Sequence, residues 1–224
     1  MKYWVRYAKG GSLRFVGHLD MLHAWERVLR RSRLPLAFSQ GFSPRPLLSL
    51  AAPLPVGQYS RAEYLELELR EELPAATVAA AIRARQLPET EVLGIARVPE
   101  GTGALMGLIR YADYLVSELT TKQQAQLEAA LPRFLAESQV VVEMQRKRGL
   151  RQVDIRPLVR QAQLDDGQLQ LTLAIGSQGN LRPELLLEHL GVKAAAGAAP
   201  HITRQELYLL SEDANLISPL EFCR

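Results

Sequence analysis

The stretch Tyr64-Leu65-Glu66-Leu67-Glu68-Leu69-Arg70 alternates apolar and charged residues without a break. A strand turns successive side chains to opposite faces, so Leu65, Leu67 and Leu69 share one face and both glutamates the other. Later in the chain, Gln168-Leu169-Gln170-Leu171-Thr172-Leu173 repeats the pattern. A helix signal follows each: Pro74 before the Ala-rich stretch 75–85, and Pro183 opening Glu184 to Leu190 with Gly191 as the stop.

The repeated strand-then-helix order points to duplication. The first half reads strand (2–8), helix (18–33), extended segment (47–52), strand (62–70), helix (74–86) and strand (91–98). After the break Pro99-Glu100-Gly101-Thr102-Gly103, the second half reads strand (110–118), helix (121–131), strands (139–146), (151–162) and (168–175), helix (182–190) and strand (202–210). Thr121 with Gln124 fits a capping box, and Pro132 is expected to end or kink that helix. Asp165-Asp166-Gly167 reads as a hairpin turn. Each half is close to βαββαβ, so the expected class is α+β: two tandem ferredoxin-like domains, the second with an added strand. The expected boundaries are 1–98, a linker over 99–109, and 110–224.

With 224 residues, 47% of them apolar, the chain can bury a substantial core. Its one cysteine, Cys223, excludes an internal disulfide framework or a Cys-rich metal centre built by this chain alone. The N-terminal segment mixes charges with apolar residues and no long apolar run follows, so the expectation is a cytoplasmic protein with no membrane anchor. Net charge is +3, unevenly spread. Residues 1–50 carry nine Lys/Arg against Asp20 and Glu26 only. Such an excess calls for a solvated face or an anionic partner, and phosphate is the obvious candidate.

Within this segment, a helical period gathers Leu19, Leu22, Trp25, Val28 and Leu29 on one side. Asp20, His23, Arg27, Arg30 and Arg31 gather on the other. Basic residues in a last turn are also ordinary helix chemistry, so this stripe reads equally as an anion site or as a solvated face. The loop that follows, Phe38-Ser39-Gln40-Gly41-Phe42-Ser43-Pro44-Arg45-Pro46, adds weight to the first reading. Gly41 permits positive φ, and the prolines stiffen the chain. Ser39, Gln40, Ser43 and Arg45 supply donors to phosphate oxygens, and Phe42 could stack on a base. Phe38 is expected to be buried. The nucleic-acid-binding set is therefore Arg14, His23, Arg27, Arg30, Arg31, Ser39, Gln40, Gly41, Phe42, Ser43 and Arg45. A second run, Arg146, Lys147, Arg148 and Arg151, reads as a basic hairpin tip, or as a solvated turn, and extends this set only if the fold brings the two patches together. His18 beside Asp20 could do acid–base work, although a His at a helix entrance more often bonds backbone. No metal site is expected. Walker, Rossmann and G-x-S-x-G motifs are absent.

Four motifs in one order carry a resemblance. Leu13-Arg14-Phe15-Val16-Gly17-His18-Leu19-Asp20, Leu29-Arg30-Arg31-Ser32-Arg33-Leu34-Pro35, Ser39-Gln40-Gly41-Phe42-Ser43-Pro44-Arg45-Pro46 and Pro53-Leu54-Pro55-Val56-Gly57 together resemble the radical SAM-linked protein family, a domain of unknown function. Thinner similarity continues through Val153–Leu158 and Leu181–Glu184. Gly17 stands where that family usually has Ser, and Leu47 where a basic residue is common. The resemblance implies a radical SAM enzyme as partner. That partner would carry the iron–sulfur cluster and S-adenosylmethionine, and cobalamin where it has a cobalamin-binding-like domain, with no cofactor bound by this chain. The expectation is an accessory module that presents tRNA or rRNA to that partner. The alternatives are a metal-independent endoribonuclease-like enzyme using His18, and a protein–protein adaptor. Ferredoxin-like sheets often read RNA, a step that is analogy from fold to function.

Overall fold

In a computed structural model, residues 1–146, 149–192 and 199–224 are described. They fall into two compact α+β units. The first comprises Met1–Ile109 together with Arg204–Arg224, and the second comprises Arg110–Thr203.

The first unit holds strands β1 (Lys2–Lys9), β2 (Leu48–Leu50), β3 (Tyr59–Glu68) and β4 (Thr90–Arg97), with helices α1 (His18–Arg31), α2 (Ala75–Arg83) and the short α3 (Leu105–Leu108). β1 lies between β4 and β3 and is antiparallel to both, and β2 pairs antiparallel with the far side of β3. The order β4-β1-β3-β2 with alternating directions is two interleaved split βαβ motifs, the ferredoxin-like arrangement the duplication predicts. β2 is only three residues long, from Leu48 to Leu50. As expected, Leu65, Leu67 and Leu69 are buried. They pack with Tyr3, Val5 and Tyr7 of β1 against Trp25, Val28 and Leu29 of α1 and Val78 and Ile82 of α2.

The opposite face of this sheet is not open to water. In the register, Trp4 faces Glu66 and Arg6 faces Tyr64. Trp4 Nε1 donates to Glu66 Oε2 at 2.8 Å, and the Leu105 amide donates to the same oxygen at 3.1 Å. Arg6 pairs with Glu206 at 2.9 Å, and the Tyr64 hydroxyl donates to Glu206 at 2.8 Å. Burial together with the Glu206 carboxylate pushes the Tyr64 phenol far above its usual range. The analogy with sheet-face RNA readers therefore has no free platform in this unit.

The second unit holds β5 (Tyr111–Ser117), α4 (Thr121–Ala136), β6 (Val141–Arg146), β7 (Gly149–Asp154), β8 (Val159–Asp165), β9 (Gln168–Ala174) and α5 (Pro183–His189). β5 and β8 flank β9, both antiparallel to it, while β6 and β7 form a separate two-stranded hairpin. Leu169, Leu171 and Leu173 of β9 are buried, as are Leu127, Leu131 and Phe134 of α4. The chain then enters β10 (His201–Leu210), followed by β11 (Leu216–Ile217) and α6 (Pro219–Phe222).

Several local expectations are corrected. The capping box lies one residue earlier, at Thr120 and Gln123. α4 runs through Pro132 to Ala136, because the prolyl ring costs one helical hydrogen bond while Leu131 and Phe134 remain anchored in the core. The expected strand 151–162 is two strands, divided at a 3-10 turn over Arg156–Leu158 where Pro157 cannot extend a ladder. The boundary differs as well. Residues 99–109 are part of the first unit rather than a linker, and so are 204–224. Arg204 explains the second assignment: it is wholly buried and ion-paired with Glu63 of β3 at 2.6 Å, with a further hydrogen bond to the Ala52 carbonyl.

Candidate nucleic-acid interface

The site begins where β1 ends. Gly10 and Gly11 lead into a 3-10 turn over Gly11–Phe15, and Glu89 Oε2 accepts hydrogen bonds from Ser12 N at 2.8 Å and Ser12 Oγ at 2.7 Å. These bonds hold the Glu89 carboxyl below its usual range. A Cβ on Gly11 would meet that carboxylate, and φ here is +51°, a conformation that glycine adopts most readily. The turn places Arg14 with its guanidinium 4.3 Å from the Phe15 ring centroid and 5.0 Å from that of Tyr59. A guanidinium stacked between aromatic rings has lost much of its freedom before any ligand arrives.

Helix α1 then runs for 14 residues, about 20 Å. Its buried face is Met21, Ala24, Trp25, Val28 and Leu29. Leu19, expected on that face, is 66% exposed, because the stripe at positions 21, 24, 25 and 28 is centred away from it. On the side read as basic, Asp20, His23, Arg27, Arg30 and Arg31 are all exposed. Arg30 is engaged by Glu26 at 2.9 Å and lies over the Phe38 ring at 5.4 Å. Among the described residues, no carboxylate comes within ion-pair distance of His23, Arg27, Arg31, Arg33 or Arg45. Lys2 and Arg6 are paired with Glu66 and Glu206. Lys9 is buried and donates to the Val16 carbonyl at 2.9 Å, and desolvation lowers its pKa. The charge excess of residues 1–50 thus splits into an internal part on β1 and an exposed part on α1 and the segment after it, where Arg30 is paired with Glu26.

The loop after α1 is braced at its base. Phe38 and Pro46 form an antiparallel bridge. Ser39 N donates to the Arg45 carbonyl at 2.8 Å, and Arg45 N donates to Ser39 Oγ at 3.1 Å. Below the base, Ala37 N donates to Glu68 O and Glu68 N to Leu47 O, tying both strands of the loop to β3. Gln40, Gly41, Phe42, Ser43 and Arg45 are exposed at the tip, with Gly41 at φ +125°. Phe42 is fully exposed, its side chain touching nothing. Phe38, expected in the core, is 38% exposed beneath Arg30, because the bridge to Pro46 holds it at the surface.

No ion pair joins His18 and Asp20, and Asp20 Oδ2 lies over Gly17, 3.5 Å from where a Cβ would sit. Among the described residues, no cluster of three or more His, Cys, Asp or Glu is placed to hold a metal. Of the second basic run, Arg151 is exposed on β7 in the second unit, Arg146 ends β6, and Lys147 and Arg148 lie outside the described residues. Sequence reasoning missed Phe15 and Tyr59 as the sandwich around Arg14. It also missed the cation at Arg33, which takes a positive φ of 59° just past α1. The signal for Arg33 was available as one more arginine after the helix, whereas the Tyr59 contact depends on tertiary structure.

The comparison with protein families decides membership. A family model described as "Uncharacterized protein conserved in bacteria (DUF2344)" matches residues 2–183. The chain belongs to the DUF2344 family. The match takes in the whole of α1 and the braced loop, and most of the second unit. No curated protein matches this DUF2344 chain. Among solved structures, one described as "Crystal Structure of a Cbf5-Nop10-Gar1 Complex" aligns with a TM-score of 0.44 at 12% identity, covering 92% of this chain. This chain spans about half of that one (48%). Among the described residues, no helix is long and apolar enough to cross a membrane.

Proposed function

We propose that this DUF2344 protein is an accessory RNA-binding module that presents tRNA or rRNA to a radical SAM enzyme, which would carry the iron–sulfur cluster and S-adenosylmethionine. One observation carries the RNA half of this reading. Arg27 and Arg31 of α1, which have no carboxylate partner among the described residues, lead to a braced loop that holds Phe42 entirely in solvent. Unpaired guanidinium groups suit phosphates, and an exposed ring on a fixed base suits an unstacked nucleobase. The partner half rests on the sequence resemblance.

Binding of the full chain to single-stranded RNA, measured against salt, tests the first half. A phosphate site gives a steep log–log slope, and removing one contacting arginine by Arg45→Ala reduces its magnitude by about 1. A flat slope overturns the reading. Copurification of the radical SAM enzyme after nuclease treatment tests the second half.

The adaptor alternative has an observation of its own. Phe15 (61%), Leu19 (66%) and Val56 (62%) are large apolar residues exposed around the start of α1, and Gly57 N donates to the Arg14 carbonyl there. Apolar exposure of this kind suits protein contact better than phosphate contact. Leu19→Glu that abolishes partner binding while leaving RNA affinity intact would favour the adaptor role.

A further inference from the structure

The second unit ends on an open strand. β8 is the terminal strand of its sheet and pairs only with β9 among the described residues. The β8–β9 hairpin turns on Asp166 and Gly167, whose φ values of 45° and 69° are both positive, as a two-residue type I′ turn requires. The closing pair Asp165 and Gln168 is then a hydrogen-bonded pair, and pairs alternate from there. Leu164 with Leu169, and Ala162 with Leu171, are the non-bonded pairs. The backbone N–H and C=O groups of Ala162 and Leu164 therefore point away from β9, to the open edge.

Proteins blunt such edges with lysine, proline or a bulge. β8 has a register shift between Val159 and Gln161, but from Gln161 to Leu164 it carries neither a charge nor a proline. Beside this stretch, between α4 and β8, lies a groove of about 470 Å³. Leu131 and Leu135 line its helical wall, Ala162 and Leu164 its strand wall, and Glu128 and Asp166 its mouth. Pro132, also on the helical wall, has no N–H, so the Glu128 carbonyl is denied its helical donor. Neither Glu128 nor Asp166 has a cation within ion-pair distance among the described residues.

We infer that this edge accepts an extended segment of a partner protein by strand addition, apolar at alternate positions and carrying a lysine or arginine. The outward groups of Ala162 and Leu164 supply the backbone ladder. The groove takes alternate side chains, and Glu128 and Asp166 meet the cation. The two carboxylates favour a cationic segment over a phosphate backbone, which they repel. A second copy of β8 would add antiparallel, with Asp166 of one copy toward Arg160 of the other, so sedimentation distinguishes self-pairing from capture of a partner segment.

The probe is a fluorescein-labelled heptapeptide Val-Thr-Val-Thr-Val-Thr-Lys, whose valines and lysine share one face of a strand, titrated into the full chain by fluorescence anisotropy. Saturable binding is expected, with at least about tenfold weaker binding of the same peptide N-methylated at alternate residues, and of the peptide with glutamate in place of the lysine. Ala162→Pro removes one edge N–H and should weaken binding by about tenfold; Glu128→Lys with Asp166→Lys should reverse the preference between the two charged peptides. Equal binding of the N-methylated and unmodified peptides overturns the proposal on the unaltered protein, whatever the variants do. So does a wild-type dimer in sedimentation that Ala162→Pro converts to monomer, because the edge would then belong to a second copy.

Discussion

The indole of Trp4 and the carboxylate of Glu66 form a buried hydrogen bond at 2.8 Å on the face of the first sheet that ferredoxin-like RNA readers leave open. Glu66 also receives the Leu105 amide and lies 3.9 Å from the Lys2 ammonium. A glutamate that the alternation alone assigns to solvent is therefore an internal acceptor, and this face of the sheet offers no open platform. Glu66→Ala strands two buried donors, which costs about 1–3 kcal/mol for each such group. Urea unfolding should show the midpoint falling substantially while the basic surface on α1 is untouched. An unchanged midpoint would mean that water replaces the carboxylate.

Arg204 and Glu63 make a second buried connection, and here the expected cost is larger. Removing one partner of a buried ion pair leaves an uncompensated charge, worth about 3–5 kcal/mol. Glu63→Leu and Arg204→Leu should each destabilise strongly, whereas the double variant should recover much of the loss. A double-mutant cycle in thermal unfolding checks this.

Phe42→Ala should leave stability within about 0.5 kcal/mol, because the ring packs on nothing. The same change should weaken single-stranded RNA binding by about 1–3 kcal/mol if a base stacks there. Calorimetric Tm and binding isotherms on the same preparation separate the two effects.

The Glu89 carboxyl is held below its ordinary range by hydrogen bonds from Ser12 and Leu13. A depressed pKa adds stability that is present above the unfolded-state value and is lost as pH falls through the lower folded value. Acidification through the normal glutamate range should therefore leave the Ser12 amide resonance unmoved, and the shift should come only at lower pH. Glu89→Gln should remove that titration step from the Ser12 amide.

Burial pushes the Cys223 thiol up to about 11. Alkylation by iodoacetamide should be slow at neutral pH, and its rate should keep climbing with pH past the value at which an ordinary thiol levels off. A plateau near pH 9 would show the thiol to be exposed.

Much of the architecture was legible because it rests on periodicity. Leu65, Leu67 and Leu69 fix one face of β3, and Leu169, Leu171 and Leu173 do the same for β9. What sequence could not supply was the second face of β3, since Glu66 looks like a solvent residue until Trp4 is known to lie beside it. Boundaries failed for a related reason. Nothing local to Arg204 marks it as belonging with Glu63, because ion pairs across long sequence separations leave no periodic trace. At the candidate site, the stripe on α1 could be read from spacing. The stacking of Arg14 between Phe15 and Tyr59, and the bracing of the loop through Phe38 and Pro46, are tertiary and could not.

The assignment of residues 204–224 to the first unit has a consequence for synthesis. The ribosome releases residues 110–203 before the arginine that neutralises Glu63 emerges, so the nascent first unit waits with that carboxylate unmatched by Arg204 until then. The second unit is in effect an insertion, and maturation of the basic helix's own scaffold is the last event rather than the first.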